Sequence, residues 1–340
     1  MKLLFIAVLL AVSSNLYAVY EIDPATVSAA DPGFTTGLIK ETNTAPGAAP
    51  PGDPKIRIIC SFAKGGKFDP IVFPGQSNVG HHHTFFGNTG VSPTSTASTL
   101  AGSGGSTCTG GTYIRSSFWI PSTLDIRTNK FIKPLGSLVY YYSFSANQYT
   151  KKMPHGLKML PGKTKFFAWD KPNFDYTCLD VSGYSYGIGS SKAFPACTKA
   201  GRLRYQLNNF PECWNGVTLD SPDHRSHMAF ILEGNGSNNA NQCPSSHPVR
   251  IPSISLFVDY PVTAPDSVKY WRLASDNPSA PAGSGLHADY FSGINSNVQE
   301  MFIQNCIRNK GDCRMGLLGR GFNGLFGAGS DGKLWSLYGK

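Results

Sequence analysis

Beyond residue 55, no apolar run lasts long before a Gly, Pro, Ser or Asn interrupts it. The 340 residues include 37 glycines and 24 prolines. Such punctuation argues against long helices, because Gly loses the most backbone entropy in a helix and Pro removes an amide donor. Short runs remain. Residues 55–60 alternate charged and β-branched side chains, 117–121 and 137–144 are aromatic and aliphatic, and 253–260 largely alternate polar with apolar residues. Alternation with period two is the pattern of a half-buried strand. Residues 225–232 and 269–273 are further strand candidates. Only 296–309 carries a helical stripe, in Val298, Met301, Phe302, Cys306 and Ile307. The expected fold is mainly β: an irregular β-sandwich or barrel-like domain with long loops, a few short helices and several disulfides.

The first 18 residues place one Lys before a short apolar run and end in Leu16-Tyr17-Ala18. This is the layout of a secretory signal peptide cleaved after Ala18. The run is shorter than the roughly 20 residues that span a bilayer, and no later segment is long and apolar enough to do so. The expectation is a secreted chain, extracellular or periplasmic, with no transmembrane span. Residues 19–54 read as a Pro/Ala-rich N-terminal arm, 55–313 as the main disulfide-stapled domain, and 314–340 as a Gly-rich C-terminal tail. In an exported chain eight cysteines suggest four disulfides. The count leaves connectivity open. Pairing between neighbours would join Cys60 to Cys108, Cys178 to Cys197, Cys213 to Cys243 and Cys306 to Cys313. The formal charge of +9 becomes +8 without Lys2 and suits an anionic partner. The basic residues are scattered, so nucleic acid is not favoured.

Chemistry concentrates in the histidines. His81 and His83 are two apart and share a face in extended chain, while His82 points away. His224 and His227 share a face only if the chain turns, and Ser221-Pro222-Asp223 favours a turn. His247 sits in a Pro-flanked loop, with Arg250 three residues on. His287 has Asp289 on its own face, where a carboxylate fixes an imidazole's tautomer and raises its basicity. A lone loop histidine is more often merely solvated or hydrogen-bonded; four such spots together suggest a shared pocket. Three neutral imidazoles hold Zn²⁺ or another divalent transition ion with a position open for water. Without a metal, the imidazoles and Asp289 can work as acid and base near neutral pH. Arg250, or Arg225, can neutralise an anionic group by bidentate contact. Phe85, Phe86, Trp119, Trp214 and Tyr290 are candidates for stacking on sugar rings, although such residues are more often core. No serine-nucleophile elbow, phosphate-cradling Gly-Lys loop or HExxH is present.

The pieces recur in a definite order. They are His81-His82-His83-Thr84-Phe85-Phe86-Gly87-Asn88, Ser106-Thr107-Cys108, Phe118-Trp119-Ile120-Pro121-Ser122 and Phe210-Pro211-Glu212-Cys213-Trp214-Asn215-Gly216. Then follow Leu219-Asp220-Ser221-Pro222-Asp223-His224-Arg225-Ser226-His227, Cys243-Pro244-Ser245-Ser246-His247-Pro248-Val249-Arg250-Ile251-Pro252 and Gly285-Leu286-His287-Ala288-Asp289-Tyr290. Over residues 55–306 this order resembles the domain of unknown function 1996 family of secreted fungal and bacterial proteins. The resemblance implies an extracellular domain. Because some fungal relatives carry carbohydrate-binding modules, it also implies contact with glycans. It places His81, His83, His224, His227, His247, His287 and Asp289 in the family pattern, and makes His82 and His155 less probable site members.

The leading expectation is an enzyme cleaving an extracellular polysaccharide by hydrolysis or lytic elimination. His81, His83 and His224 would hold the metal, and His287, Asp289, His227, His247 and Arg250 would carry the chemistry. The rival is a non-catalytic glycan- or wall-binding protein. A weaker third is a secreted metal-dependent nuclease or phosphoesterase.

Overall fold

The computed structural model describes residues 20–40, 54–143, 147–161, 174–188, 193–208, 210–231, 242–313 and 324–325. The proposed leader, residues 41–53 of the arm and most of the Gly-rich tail lie outside these. Two large sheets use twelve strands. In chain order they are β1 (Lys55–Cys60), β2 (Phe62–Gly66), β3 (His83–Gly87), β4 (Ser117–Pro121), β5 (Gly136–Tyr142) and β6 (Lys158–Met159). The rest are β7 (Phe174–Asp180), β8 (Ser185–Ile188), β9 (Gly201–Leu207), β10 (Ser253–Val262), β11 (Asp289–Phe291) and β12 (Asp312–Cys313). The seven-stranded sheet runs β8-β7-β9-β10-β5-β1-β12 and the five-stranded sheet β2-β3-β4-β11-β6. Neighbours are antiparallel except β12, which lies parallel to β1. The fold is mainly β, as the punctuation of the sequence requires.

Alternation explains how the sheets meet. Ile56, Ile58, Val139, Tyr141, Leu203, Tyr205, Leu256 and Val258 point inward from the large sheet. Phe86, Phe118, Ile120, Met159 and Tyr290 point inward from the small one, and together they form one core. Full burial of a large apolar side chain contributes about 1.5–3 kcal/mol, so this shared layer is the main adhesive between the sheets. The opposite face of the small sheet is also covered. Phe85, Trp119 and Phe291 pack there with Ile71, Val91 and Leu100, beneath the loop after β2 and the short helix α1 (Ala97–Gly102). Phe85, Phe86, Trp119 and Tyr290 are therefore core residues and cannot stack on sugars.

The family-like motif Phe85-Phe86-Gly87-Asn88 can be read one residue at a time. Phe85 feeds one core and Phe86 the other. Gly87 has φ +87°, and a Cβ there would lie 2.1 Å from the Ser116 carbonyl oxygen, so a side chain is excluded. Asn88 then staples the covering helix: its Nδ2 donates to the Leu100 carbonyl at 2.9 Å, and its Oδ1 accepts from the Gly90 amide at 2.7 Å.

The four disulfides are Cys60–Cys108, Cys178–Cys197, Cys213–Cys243 and Cys306–Cys313, the neighbour pairing expected. The predicted helix is α2 (Ser296–Phe302), capped by Asn295 and continued by a π-helical turn through Ile303–Arg308. Among the described residues no helix is long and apolar enough to cross a membrane.

Candidate metal centre

β3 carries His83 on the outward face, and the extended chain before it puts His81 on the same side, with ring centroids 4.3 Å apart. His82 turns the other way, its Nδ1 2.8 Å from Ser122 Oγ and its ring 6.0 Å from Phe131. Trp119 on β4 pairs with both Phe85 of β3 and Asp289 of β11. That register places Asp289 two strands across from Phe85 on the same face. His287, two residues earlier, therefore lies across from His83. The His81 and His287 Nε2 atoms are 3.2 Å apart, and His287 Nε2 lies 4.0 Å from Asp289 Oδ2. The loop after β2 adds Asp69, whose Oδ2 is 4.0 Å from His83 Nε2. Within each of two sets, His81/His83/His287 and Asp69/His83/Asp289, the candidate ligand atoms lie within 4.8 Å of one another.

The hydrogen bonds aim these atoms at a common point. His83 Nδ1–H donates to the Phe68 carbonyl at 2.8 Å, and His287 Nδ1–H to the Gly285 carbonyl at 2.9 Å. Each bond fixes the tautomer with the Nε2 lone pair facing inward, as in metal-ligating histidines. Asp69 Oδ1 accepts the Ile71 and Val72 amides at 2.8 and 2.9 Å, leaving Oδ2 toward His83. His83 Nε2 and Asp289 Oδ2 are buried with no hydrogen-bond partner among the described residues. A buried polar atom left unsatisfied costs about 1–3 kcal/mol, so two in one cluster call for an explanation; a cation between them would satisfy both.

Electrostatics point the same way. Burial, then the neighbouring imidazoles, holds His81 well below the ordinary histidine range. Burial also lowers His83, against the opposing pull of Asp69 and the Phe68 carbonyl. Burial and His83 bring His287 down to about 4. All three are neutral at pH 7 and offer lone pairs. Burial and the Asp69 charge push the Asp289 carboxyl well above its usual range, while Arg225 pulls it down. A divalent ion reverses the burial penalty by supplying the missing positive charge. Asp69, His83 and Asp289 form the floor, all buried, whereas the His287 side chain is 23% exposed and His81 partly so. The site opens along its His81–His287 edge.

The spacing fits one ion. Two nitrogens bound at about 2.0–2.1 Å stand about 2.9–3.4 Å apart at tetrahedral or octahedral angles; His81 and His287 are at 3.2 Å. His83 belongs to both sets and, with Nδ1–H given to Phe68, has a single lone pair left. It can bind one ion, so the two sets meet at this residue: an all-imidazole set on one side and a set with two carboxylate oxygens on the other. Such a mixed nitrogen–oxygen set suits Zn²⁺ and similar divalent transition ions.

The profile of the family described as "Domain of unknown function (DUF1996)" matches residues 69–293. The chain belongs to the DUF1996 family. The matched span of this DUF1996 protein contains all five donors, from Asp69 to Asp289. No curated protein and no solved structure matches the chain.

The other expected site residues stand elsewhere. His224 Nδ1 lies 2.8 Å from Asp220 Oδ1. Buried His227 has Nδ1 2.9 Å from Ser221 Oγ and Nε2 2.7 Å from the Lys158 carbonyl. His247 is held by Ser246 Oγ and the Ser226 carbonyl, each at 2.9 Å. Arg250 is buried on the short strand Val249–Arg250, with the Glu212 charge nearby. His155 lies 2.7 Å from the Ala97 carbonyl. Among the described residues no metal-competent group includes His224: the structure brings His287 beside His81 and His83, and Asp69 and Asp289 beside His83. The arginine whose charge reaches His287 and Asp289 is Arg225, not Arg250. Asp69 was missed. In Phe68-Asp69-Pro70 it reads as a turn former, and only the folded loop shows which way its second oxygen faces.

Proposed function

We propose that this protein is a secreted, metal-dependent enzyme that cleaves an extracellular polysaccharide. One Zn²⁺ or another divalent transition ion would be held at His83, where the sets His81/His83/His287 and Asp69/His83/Asp289 meet. The observation that carries the reading is the pair of buried atoms without a hydrogen bond, His83 Nε2 and Asp289 Oδ2, within two overlapping donor sets. A bound ion would polarise a substrate oxygen or activate water at the open His81–His287 edge. The chain's own part is to keep the imidazoles neutral, fix their tautomers through Phe68 and Gly285, and exclude water from the floor. The leader-like first 18 residues and the four disulfides favour work outside the cytosol. The glycan rests on the family resemblance. A purely structural ion would also suit buried donors; the partly exposed edge favours an ion that meets substrate.

Elemental analysis of protein purified without a His tag tests the centre. The expected result is one metal per chain, lost in the His81→Ala/His83→Ala double variant. Absence of metal from the unsubstituted protein would leave acid/base or binding roles for the cluster. New reducing ends or unsaturated uronic ends from a glycan panel, abolished by the same variant, test the reaction. Tight glycan binding without either product would instead make this a binding module.

A further inference from the structure

The two donor sets share only His83, and they offer an ion different chemistry. His81, His83 and His287 present three imidazole nitrogens, whereas Asp69, His83 and Asp289 present one imidazole nitrogen and two carboxylate oxygens. Imidazole suits Zn²⁺, Cu²⁺ and Ni²⁺, and carboxylate suits Mn²⁺ and Ca²⁺. The spans differ in the same sense. The His81 and His287 Nε2 atoms are 3.2 Å apart, which subtends about 100–106° at an ion with bonds of about 2.0–2.1 Å. His83 Nε2 and Asp69 Oδ2 are 4.0 Å apart. At those bond lengths the wider span would open the angle to about 145° or more; at the roughly 2.3–2.6 Å of a larger, oxygen-bound ion it subtends about 100–120°.

Access separates the sets as well. Asp69, His83 and Asp289 are all buried, while His81 and His287 are partly exposed. A closed set keeps its ion from substrate, and an open one leaves a coordination position free. An ion held by the imidazoles alone answers His83 Nε2 but not Asp289 Oδ2, the other buried atom without a hydrogen bond, which belongs only to the second set. His83 gives its Nδ1–H to the Phe68 carbonyl, so its one remaining lone pair serves one set at a time.

We propose that the cluster has two mutually exclusive seats that share His83, an open imidazole seat for a nitrogen-preferring ion such as Zn²⁺ and a closed carboxylate seat for an oxygen-preferring ion such as Mn²⁺. The proposal rests on the metal reading above and adds its regulation. An ion in the closed seat is shut away from substrate and withdraws His83 from the open one, so ion class decides whether the partly exposed edge carries a metal.

The test uses the full chain without a tag, stripped of metal and loaded with Zn²⁺ or Mn²⁺ alone. X-ray absorption counts the imidazoles around each ion with no substitution needed. Three around Zn²⁺ and one around Mn²⁺ are expected; the same count for both ions would overturn the two seats and leave a single metal centre standing. Dissociation constants of two variants read the same split, once thermal melts show that the variants fold. His81→Gln is expected to weaken Zn²⁺ at least about tenfold and Mn²⁺ less than about threefold. Asp69→Asn, whose side-chain carbonyl can still accept the Ile71 and Val72 amides, is expected to do the reverse. Zn²⁺ binds a given nitrogen–oxygen set more tightly than Mn²⁺, so the ratio of losses decides, not either affinity. Equal losses of both ions in both variants would overturn the proposal. Protein offered both ions together should hold one ion in total, and one Zn²⁺ bound beside one Mn²⁺ would overturn the exclusion through His83. Zn²⁺ binding without any Mn²⁺ binding would remove the closed seat alone, whereas failure of both ions to bind would remove the metal reading with it.

Discussion

Two histidine groups of similar composition meet different fates in this molecule. His81, His83 and His287 stand with two carboxylates on one face of the small sheet. His224, His227 and His247 stand with Asp220 and Asp223 in loops beyond its edge. In the second group the ring nitrogens bond to nearby partners such as Asp220, Ser221, Ser246 and the carbonyls of Lys158 and Ser226. In the first, two backbone carbonyls take the Nδ1 protons of His83 and His287 and turn the other nitrogens on one another. Neither count nor spacing separates a ligand set from a loop scaffold. What separates them is where the ring nitrogens face: toward other imidazoles and buried carboxylates, or toward the hydroxyls, carbonyls and carboxylate of their own loops.

The largest expected effect comes from exchanging one residue in each group. His83→Ala should abolish stoichiometric metal and lower glycan-cleaving activity at least about a hundredfold, roughly 2.7 kcal/mol of transition-state stabilisation. His227→Ala should keep its metal and lose about 1–3 kcal/mol of stability, because Ser221 and the Lys158 carbonyl lose a buried partner. Elemental analysis beside denaturant melts reads both, and metal loss in His227→Ala would erase the distinction. Next comes Asp289→Asn. It should weaken metal affinity by about tenfold or more while leaving the metal-free protein as stable or more so, since it removes a buried carboxylate whose Oδ2 lacks a partner. Competition with a chelator gives the first quantity and thermal melting the second.

A smaller effect should appear in the pH dependence of the metal-free protein. Folded His81, His83 and His287 are held below the unfolded histidine value of 6.5, His287 at about 4. Between those values the unfolded chain binds more protons, so stability should fall as pH drops from 6.5 toward 4. Asp289 works against this. Its raised carboxyl contributes stability at low pH that is lost as pH rises through its folded value. His82, lowered to about 4, and lowered His227 add to the three, while raised Asp276 joins Asp289; with five groups against two, melting temperature should decline on acidification, and a rise would contradict the assignment. Bound metal should flatten the dependence near neutrality by keeping the imidazoles and Asp289 deprotonated. The least effect belongs to His224→Gln, on a partly exposed side chain bonded to Asp220. It should shift stability by no more than about 0.5 kcal/mol and leave metal content unchanged.

Much of this was legible in the chain, and for a physical reason. Period-two alternation is local, so the shared faces of His81 with His83 and of His287 with Asp289 follow from an extended backbone alone. The strands around 55–60, 117–121 and 253–260 were legible for the same reason. Among the described residues 225–231, however, only Met228–Ala229 forms a strand, because the Asp223-organised turn occupies what precedes it. Which histidine groups converge was not legible, since it depends on β4 lying between β3 and β11 and on Trp119 pairing with both. Asp69 escaped because a loop, not a period, aims it. Arg250, offered from sequence ahead of Arg225 as an anion partner, is instead buried, which its place beside a Pro-flanked loop does not reveal.

His81 and His287 are 206 positions apart in the chain. Closing so long a loop comes late, after strand pairing has set the order of β3, β4 and β11. A donor cluster built on that contact therefore cannot seed folding; an ion held there would lock the sandwich only once it is built. Before that, the adjacent imidazoles of His81, His82 and His83 are the chain's nearest chelating group. Transition metal present during refolding would then bind the open chain as well as the finished one, and subtract from the stabilisation it later gives.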